Sequence, residues 1–253
     1  MATEQKPWAD GPLPLLDTTS WKSTDAKEHM SIQMGLEMVA AHNGMIRGMN
    51  AICLQGPNIH DPQDVADFLF FCQMWCVSLE HHHDSEEKFL FPDLTAYTGK
   101  PDLMSENIEQ HKTFHDGLDA FQNYASETAP EQYRWEDMKK IIDAFVPSLY
   151  AHLEAEVPTL LALRDYDNAE LKKIWKRTED YAKDNKDPRM KDIICFAIGN
   201  IDRTHEDGLH KNFPPFPFFV PYVAHYLWGR KHSGSWRLSP CDAWGQPRSM
   251  PFA

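Results

Sequence analysis

Apolar residues recur every three or four positions along most of the chain up to about residue 204, the spacing typical of amphipathic helices. The alternation typical of strands does not appear in that part of the sequence. Long helices joined by short connections predict an all-α fold, an up-down-up-down four-helix bundle. The four predicted helices, A to D, cover about residues 24–53, 61–94, 101–126 and 133–163.

Local signals support the boundaries of the second helix. Asp61-Pro62 is an N-cap acid followed by proline at the first helical position, which is a favoured helix start. Gly56-Pro57 ends the preceding helix, and Gly99 with Pro101 interrupts the chain after the second. The helical pattern therefore has defined ends as well as the right period.

Three regions follow from this pattern: an N-terminal arm at 1–24, the bundle at 25–165, and an additional region at 166–253. The additional region begins with two further predicted helices, at about 168–184 and 187–204. An irregular extension rich in aromatic residues and proline follows, from about Phe213. We expect so aromatic a tail to pack on the bundle, with a surface for a partner as the alternative.

Composition narrows the class of protein. Hydrophobic residues make up 42% and charged residues 25% of the 253 residues, which indicates a globular chain. The net charge of −13 argues against a nucleic-acid partner. No apolar run has the length of a membrane span, and the first residues lack the apolar core of a signal peptide. The five cysteines, an odd number, suit a reducing compartment, so we expect a soluble, cytoplasmic protein without a membrane partner.

Histidine and glutamate provide the candidate chemistry. Each predicted helix carries histidine beside apolar residues, and residues four apart share a helix face. Any single pair would more often be a surface pairing than a ligand set. One contribution from every helix, in contrast, indicates a buried metal site, because converging imidazoles are costly to bury without a partner. The candidate metal ligands are His42, His83, Glu87, His111, His115, His152 and Glu156.

The second helix offers two registers for its ligand pair. The face through His83 and Glu87 is otherwise apolar, whereas the face through His82 and Glu86 also carries Ser78. We therefore expect His83 and Glu87 to point inward. His82 and Glu86 would then lie next to the ligands or face solvent.

The donor set indicates which metal is bound. Five imidazoles and two carboxylates favour iron over calcium or magnesium, which prefer oxygen ligands. Seven donors are too many for one structural zinc ion, which takes four. The number suits two metal ions.

The ordered motifs resemble the hemerythrin-like family, also called HHE cation-binding domains. The resemblance covers about residues 26–165 and rests on a histidine, a His-x-x-x-Glu followed by Phe-Pro, a His-x-x-x-His and a second His-x-x-x-Glu. It implies a non-heme, oxo- or hydroxo-bridged pair of iron ions, with Glu87 and Glu156 bridging and the five histidines as terminal ligands. The C-terminal extension is similar to extensions of fungal members of the family.

Such a ligand set leaves one position open on two octahedral irons, at which dioxygen would bind. Apolar neighbours of the ligands, such as Met45 and Leu149, favour reversible binding by limiting proton delivery. We expect a protein that binds or senses dioxygen or iron. The alternative is a di-iron oxidase or oxygenase acting on a small organic substrate, or an enzyme that reduces peroxide or nitric oxide. Adventitious zinc in a structural protein is a third reading.

Overall fold

A computed structural model describes residues 8–21, 29–184 and 186–253, without the side chains of residues 183 and 184. Helices dominate these ranges, and none of the helices found there is long and apolar enough to cross a membrane. The helices are α1 (Met30–Gln55), α2 (Pro62–Ser85), α3 (Phe91–Thr98), α4 (Ser105–Glu127), α5 (Trp135–Leu161), α6 (Asn168–Asp184), α7 (Met190–Asn200), α8 (His205–Gly208), α9 (Val220–Tyr226) and α10 (Ser233–Trp236). The all-α prediction is confirmed.

Helices α1, α2, α4 and α5 form the predicted bundle, with α1 and α4 each packed between α2 and α5. The start of α2 is as predicted: the Asp61 side chain accepts hydrogen bonds from the backbone N–H groups of Gln63 and Asp64. The start predicted for helix A, residues 24–28, lies outside the described residues. Gly99 ends α3 in the left-handed conformation, with φ of 65°, which glycine adopts without a steric penalty.

The core of the bundle is built around aromatic side chains. Trp75 is 1% exposed and lies edge-on to Phe121, with ring centroids 5.8 Å apart. Its indole N–H donates to the backbone carbonyl of Met45 at 2.9 Å, so the buried donor is satisfied. This packing fixes α1, α2 and α4 relative to one another. It lies about one helical turn or more away from the histidines.

A wide helical turn joins α2 to α3. Residues Glu86–Leu90 form a π-helix, in which the Phe91 N–H donates to the carbonyl of Glu86, five residues earlier. Pro92 follows immediately, and a proline within a helix lacks the N–H and crowds the carbonyl four residues before it. The wider turn accommodates that ring, and such turns are frequent at functional sites.

The described part of the N-terminal arm, residues 8–21, lies against α1. Asn43 and Asn50 are buried and two turns apart on that helix. The Asn43 amide accepts from the Leu16 N–H and donates to the Leu16 carbonyl, at 2.8 and 3.0 Å. Asn50 binds the Leu13 backbone in the same two ways, both at 2.9 Å. These amides satisfy N–H and carbonyl groups of an arm segment that is neither helix nor strand.

The C-terminal extension packs on α1 and α2 of the bundle. The His232 ring stacks on Phe70 of α2 with centroids 3.8 Å apart. Gln55 of α1 donates to the Leu238 carbonyl at 2.8 Å, and Arg237 pairs with Asp64 of α2. Apolar stacking and specific polar contacts therefore tie this region to α1 and α2.

Candidate metal centre

Seven donor residues from the four bundle helices meet in the interior. Five are histidines and two are glutamates, which is the composition predicted from the sequence. The helices that bring them together are α1, α2, α4 and α5, with one donor from the π-helical turn. The members, called the donor cluster below, are His42, His82, His83, Glu86, His111, His152 and Glu156.

The donor cluster divides into two groups of four that share Glu86. One group is His83, Glu86, His111 and His152; the other is His42, His82, Glu86 and Glu156. In each group the ligand atoms lie within 4.8 Å of one another. Two ions with one shared carboxylate are therefore compatible with this arrangement.

The ring nitrogens that meet in the interior are Nε2 atoms. The Nε2 atoms of His42 and His82 are 3.1 Å apart, and those of His111 and His152 are 3.0 Å apart. Glu86 lies between these pairs, with one oxygen 3.0 Å from His82 Nε2 and the other 3.7 Å from His111 Nε2. Each imidazole pair converges on a point that a carboxylate oxygen also approaches.

Outer hydrogen bonds orient three of the rings, those of His42, His111 and His152, the last through Gln110 Oε1 at 3.3 Å from His152 Nδ1. His42 Nδ1 lies 2.9 Å from the carbonyl of Leu153, so Nδ1 donates and the lone pair of Nε2 faces the cluster. His111 Nδ1 lies 2.6 Å from a carboxylate oxygen of Glu87. A donor bond from the outer nitrogen to a carbonyl or carboxylate is the usual support of a metal-binding histidine.

Several polar atoms of the cluster are buried and have no hydrogen-bond partner among the residues that the structure describes. They are both carboxylate oxygens of Glu86, both of Glu156, and Nε2 of His83. The short contact between His82 and Glu86 lacks the alignment of a hydrogen bond. Unsatisfied buried carboxylates are costly, and metal ions would satisfy them. The residues present therefore fit a pair of cations.

Burial also determines the protonation of the metal-free cluster. It raises the pKa of Glu156 to about 7 and raises that of Glu86 well above its usual value. It lowers the pKa of His152 to about 2 and that of His83 well below the usual value. The contacts between imidazole and carboxylate are thus contacts of neutral histidines, which are ready to bind a metal at neutral pH.

The structure places Glu87 outside the donor cluster, which corrects the predicted register of helix B. The Glu87 side chain is 47% exposed and reaches the site only through His111. His82 and His83 both face the interior, so the inward direction runs between them. One helical turn is 3.6 residues, and one turn beyond that midpoint is Glu86. The prediction took His83 alone as the inward residue, and four residues beyond His83 is Glu87.

His115 is also absent from the cluster, contrary to the prediction. Its side chain is 68% exposed and lies 3.3 Å from Asp119 on the outside of α4. Phe114 occupies the inward position instead and packs against the rings of His83 and His152 at 5.4 and 5.6 Å. Helix α4 thus supplies one ligand candidate, and α2 with its π-helical turn supplies three.

His82 and Glu86 are the members that were expected beside the ligands or in solvent. The signal that could have placed them is Trp75, a large apolar residue on the same face of the helix. In the structure Trp75 and Ser78 are both buried, at 1% and 3% exposure. A serine in that stripe made it look polar. His81, the first of the three consecutive histidines, faces α6, with Nε2 3.1 Å from the carbonyl of Ala182.

A model of the hemerythrin HHE cation binding domain matches residues 36–163, half of the chain, which includes all seven members of the donor cluster. The chain belongs to the hemerythrin HHE cation-binding family. The predicted resemblance is thereby confirmed, and with it cation binding as the general property of the bundle.

A relative shares the whole length. The hemerythrin-like chain is 42% identical over 248 residues to "Dimeric xanthone biosynthesis cluster protein R11" of Cryptosporiopsis sp. (strain 8999). The match covers 98% of the present chain and 94% of the relative, so it includes the arm and the extension as well as the bundle. No solved structure matches the chain significantly.

Proposed function

We propose that this hemerythrin-like chain holds two iron ions in the donor cluster and binds dioxygen there. The observation that carries the proposal is the pair of four-residue groups that share Glu86, whose carboxylate oxygens are buried and accept no hydrogen bond from the described part of the chain. Glu86 belongs to both groups and would contribute to holding both ions. His83, His111 and His152 would hold one ion with it, and His42, His82 and Glu156 would hold the other.

The donors favour iron. Imidazole nitrogen suits iron, copper, nickel and zinc, whereas the carboxylates add hard oxygen donors and no cysteine takes part. Ferrous ions, when bound, supply the electrons that dioxygen accepts. The protein residues supply charge balance: two ionised carboxylates compensate part of the charge of two cations in a buried site.

Apolar packing around the cluster limits access of water. Phe114 and Phe91 lie against the cluster histidines, with Phe91 5.8 Å from the His111 ring centroid. A small apolar cavity of about 10 Å³ lies between the arm and the bundle, lined by Leu13, Met45, Ile46, Met49, Trp75, Val146, Leu149, Tyr150 and Leu153. It adjoins the helix turns that carry His42 and His152. Such surroundings suit an apolar diatomic molecule and restrict delivery of protons.

A second candidate is an oxidoreductase that uses the same centre on a small organic substrate. The observation in its favour is the full-length relative, whose name places it in a biosynthetic cluster for a dimeric xanthone. A protein of such a cluster would transform an aromatic intermediate or support an enzyme that does.

Metal analysis and optical spectroscopy on one sample distinguish these functions. We expect about two irons per chain and an absorption spectrum that changes reversibly when dioxygen is added and removed. Irreversible oxidation, with turnover when a reductant and an aromatic substrate are present, would favour the oxidoreductase. If the protein is purified from iron-supplemented cells and contains no iron, both proposed functions are contradicted.

A further inference from the structure

A second cavity lies between α7 and the C-terminal extension, which includes α9, and shares no lining residue with the donor cluster. Its volume is about 220 Å³. A cavity of about 150 Å³ is enough for benzene, so this one has room for a single substituted aromatic ring.

Small residues form much of its wall. Gly199, Gly229, Ala224 and Ala243 all line the cavity. A Cβ atom on Gly199 would lie 2.6 Å from the Ser239 hydroxyl, so no larger residue fits there without a shift. These positions keep the extension close to α7 while leaving the space between them open.

Two buried polar groups of the lining have no hydrogen-bond partner among the described residues. They are the hydroxyl of Ser239, a residue 1% exposed, and the indole N–H of Trp236. A buried donor that is left unsatisfied is destabilising. A ligand oxygen within the cavity would satisfy both groups.

The charged groups of the lining are all cationic. Arg230, Arg237 and Arg248 contribute to it, and no aspartate or glutamate does. Arg237 is compensated by Asp64. Arg248 donates to the backbone carbonyls of Ser239 and Trp236, and within the described residues it has no carboxylate within ion-pair distance. Arg230 is exposed and likewise has no such partner there.

We propose that this cavity binds a small aromatic anion, one ring in size, that carries a carboxylate and a neighbouring ring oxygen. The carboxylate would pair with Arg230 and Arg248, since guanidinium groups match carboxylates in shape and charge. The ring oxygen would accept from Trp236 and Ser239. The ring itself would occupy the apolar space beside Ile198, Ala224 and Ala243. The proposal does not depend on which metal the donor cluster binds or on what that metal does.

Salicylate is the probe, because it has one ring, a carboxylate and an adjacent hydroxyl. Its binding to the full-length, metal-loaded protein is measured by isothermal titration calorimetry, together with quenching of tryptophan fluorescence. We expect a dissociation constant below about 1 mM, and benzyl alcohol, which has no charge, to bind at least about tenfold more weakly. Absence of salicylate binding at 5 mM, roughly five times that limit, or equal binding of benzyl alcohol, would overturn the proposal.

Two variants place the binding in this cavity. Ala243→Leu should abolish salicylate binding by filling the space, and Arg230→Ala should weaken it about tenfold. Lys231→Ala is the matched control, because Lys231 is a neighbouring exposed cation that does not line the cavity. Equal losses in the Arg230 and Lys231 variants, or full binding by an Ala243→Leu protein with unchanged circular dichroism, would contradict the assignment. If Ala243→Leu does not fold, the comparison of the two surface variants decides the matter.

Discussion

Helices α2 and α4 each carry more than one histidine but contribute to the donor cluster very differently. Helix α2 has consecutive histidines, of which His82 and His83 both face the interior. Helix α4 has His111 and His115 four apart, yet His115 lies in solvent. The difference shows that a spacing of four places residues near one face without making both of them inward. Which histidines face inward depends on the direction in which the whole helix buries its apolar stripe.

The largest effect is expected at the carboxylate that both groups share. Glu86→Ala removes the donor between the two ion sites, so we expect the iron content to fall at least about tenfold. Iron per chain, measured by plasma emission spectrometry on protein with unchanged circular dichroism, tests this. Glu86→Gln is a useful second variant because it keeps the size of the side chain and removes only the charge. Retention of two irons by both variants would contradict the role of Glu86.

The next comparison sets one histidine of each helix against the other. His83→Ala removes a donor from one group of four, so we expect about one iron per chain to remain. His115→Ala removes an exposed side chain, so the iron content should be unchanged. The free energy of unfolding should change by less than about 0.5 kcal/mol. Metal analysis and urea unfolding of the two proteins give the result. Loss of iron in the His115 variant alone would reverse the assignment of the inward face.

A smaller effect is expected at Glu87, which supports His111 from outside. Glu87→Gln weakens the hydrogen bond that orients the ring, and outer partners of this kind typically contribute about 10–100-fold to metal affinity. Competition with a chelator measures the affinity. We expect the variant to keep full occupancy at saturating iron and to lose it earlier under competition. A complete loss of binding would indicate that Glu87 is a ligand.

The smallest effect concerns pH in the metal-free protein. Burial lowers the pKa values of His83 and the other cluster histidines below that of the unfolded chain. Below about pH 6.5 the unfolded chain therefore binds protons that the folded chain excludes, so stability falls as the pH decreases. The raised pKa of Glu156, about 7, acts in the opposite direction between about pH 4.5 and 7, but the five histidines outnumber the two glutamates.

The pH dependence should change when a buried cluster histidine is replaced. In His83→Gln the slope of unfolding free energy against pH, measured between pH 5 and 6.5 with a chelator present, should be shallower by the equivalent of at most one bound proton. An equal slope in His83→Gln and in the unaltered protein would show that His83 titrates normally and is not buried.

The sequence was sufficient for the fold because its helical signals are local. Helix α6 has the predicted bounds, 168–184, and the Asp61 cap begins α2 as expected. These features depend on side chains a few residues apart, which the chain order displays directly. The second additional helix is shorter than predicted, since it ends at Asn200.

The site was only partly predictable, because the inward direction depends on packing between helices. The structure brings five of the seven predicted ligands together in the cluster: His42, His83, His111, His152 and Glu156. The other two depended on a rotation of less than a third of a turn. Phe114 takes the inward position on α4, and nothing near it in the sequence distinguishes it from His115. Glu86 and His82 lie where Glu87 and His115 were expected, so the cluster still contains five imidazoles and two carboxylates.

Anomalous diffraction at the iron edge, from crystals of the iron-loaded protein, would locate both ions directly. We expect two anomalous peaks, one bounded by His83, His111 and His152 and the other by His42, His82 and Glu156, with the Glu86 carboxylate between them. A single peak, or peaks bound by Glu87 or His115 in place of Glu86 or His82, would contradict this arrangement.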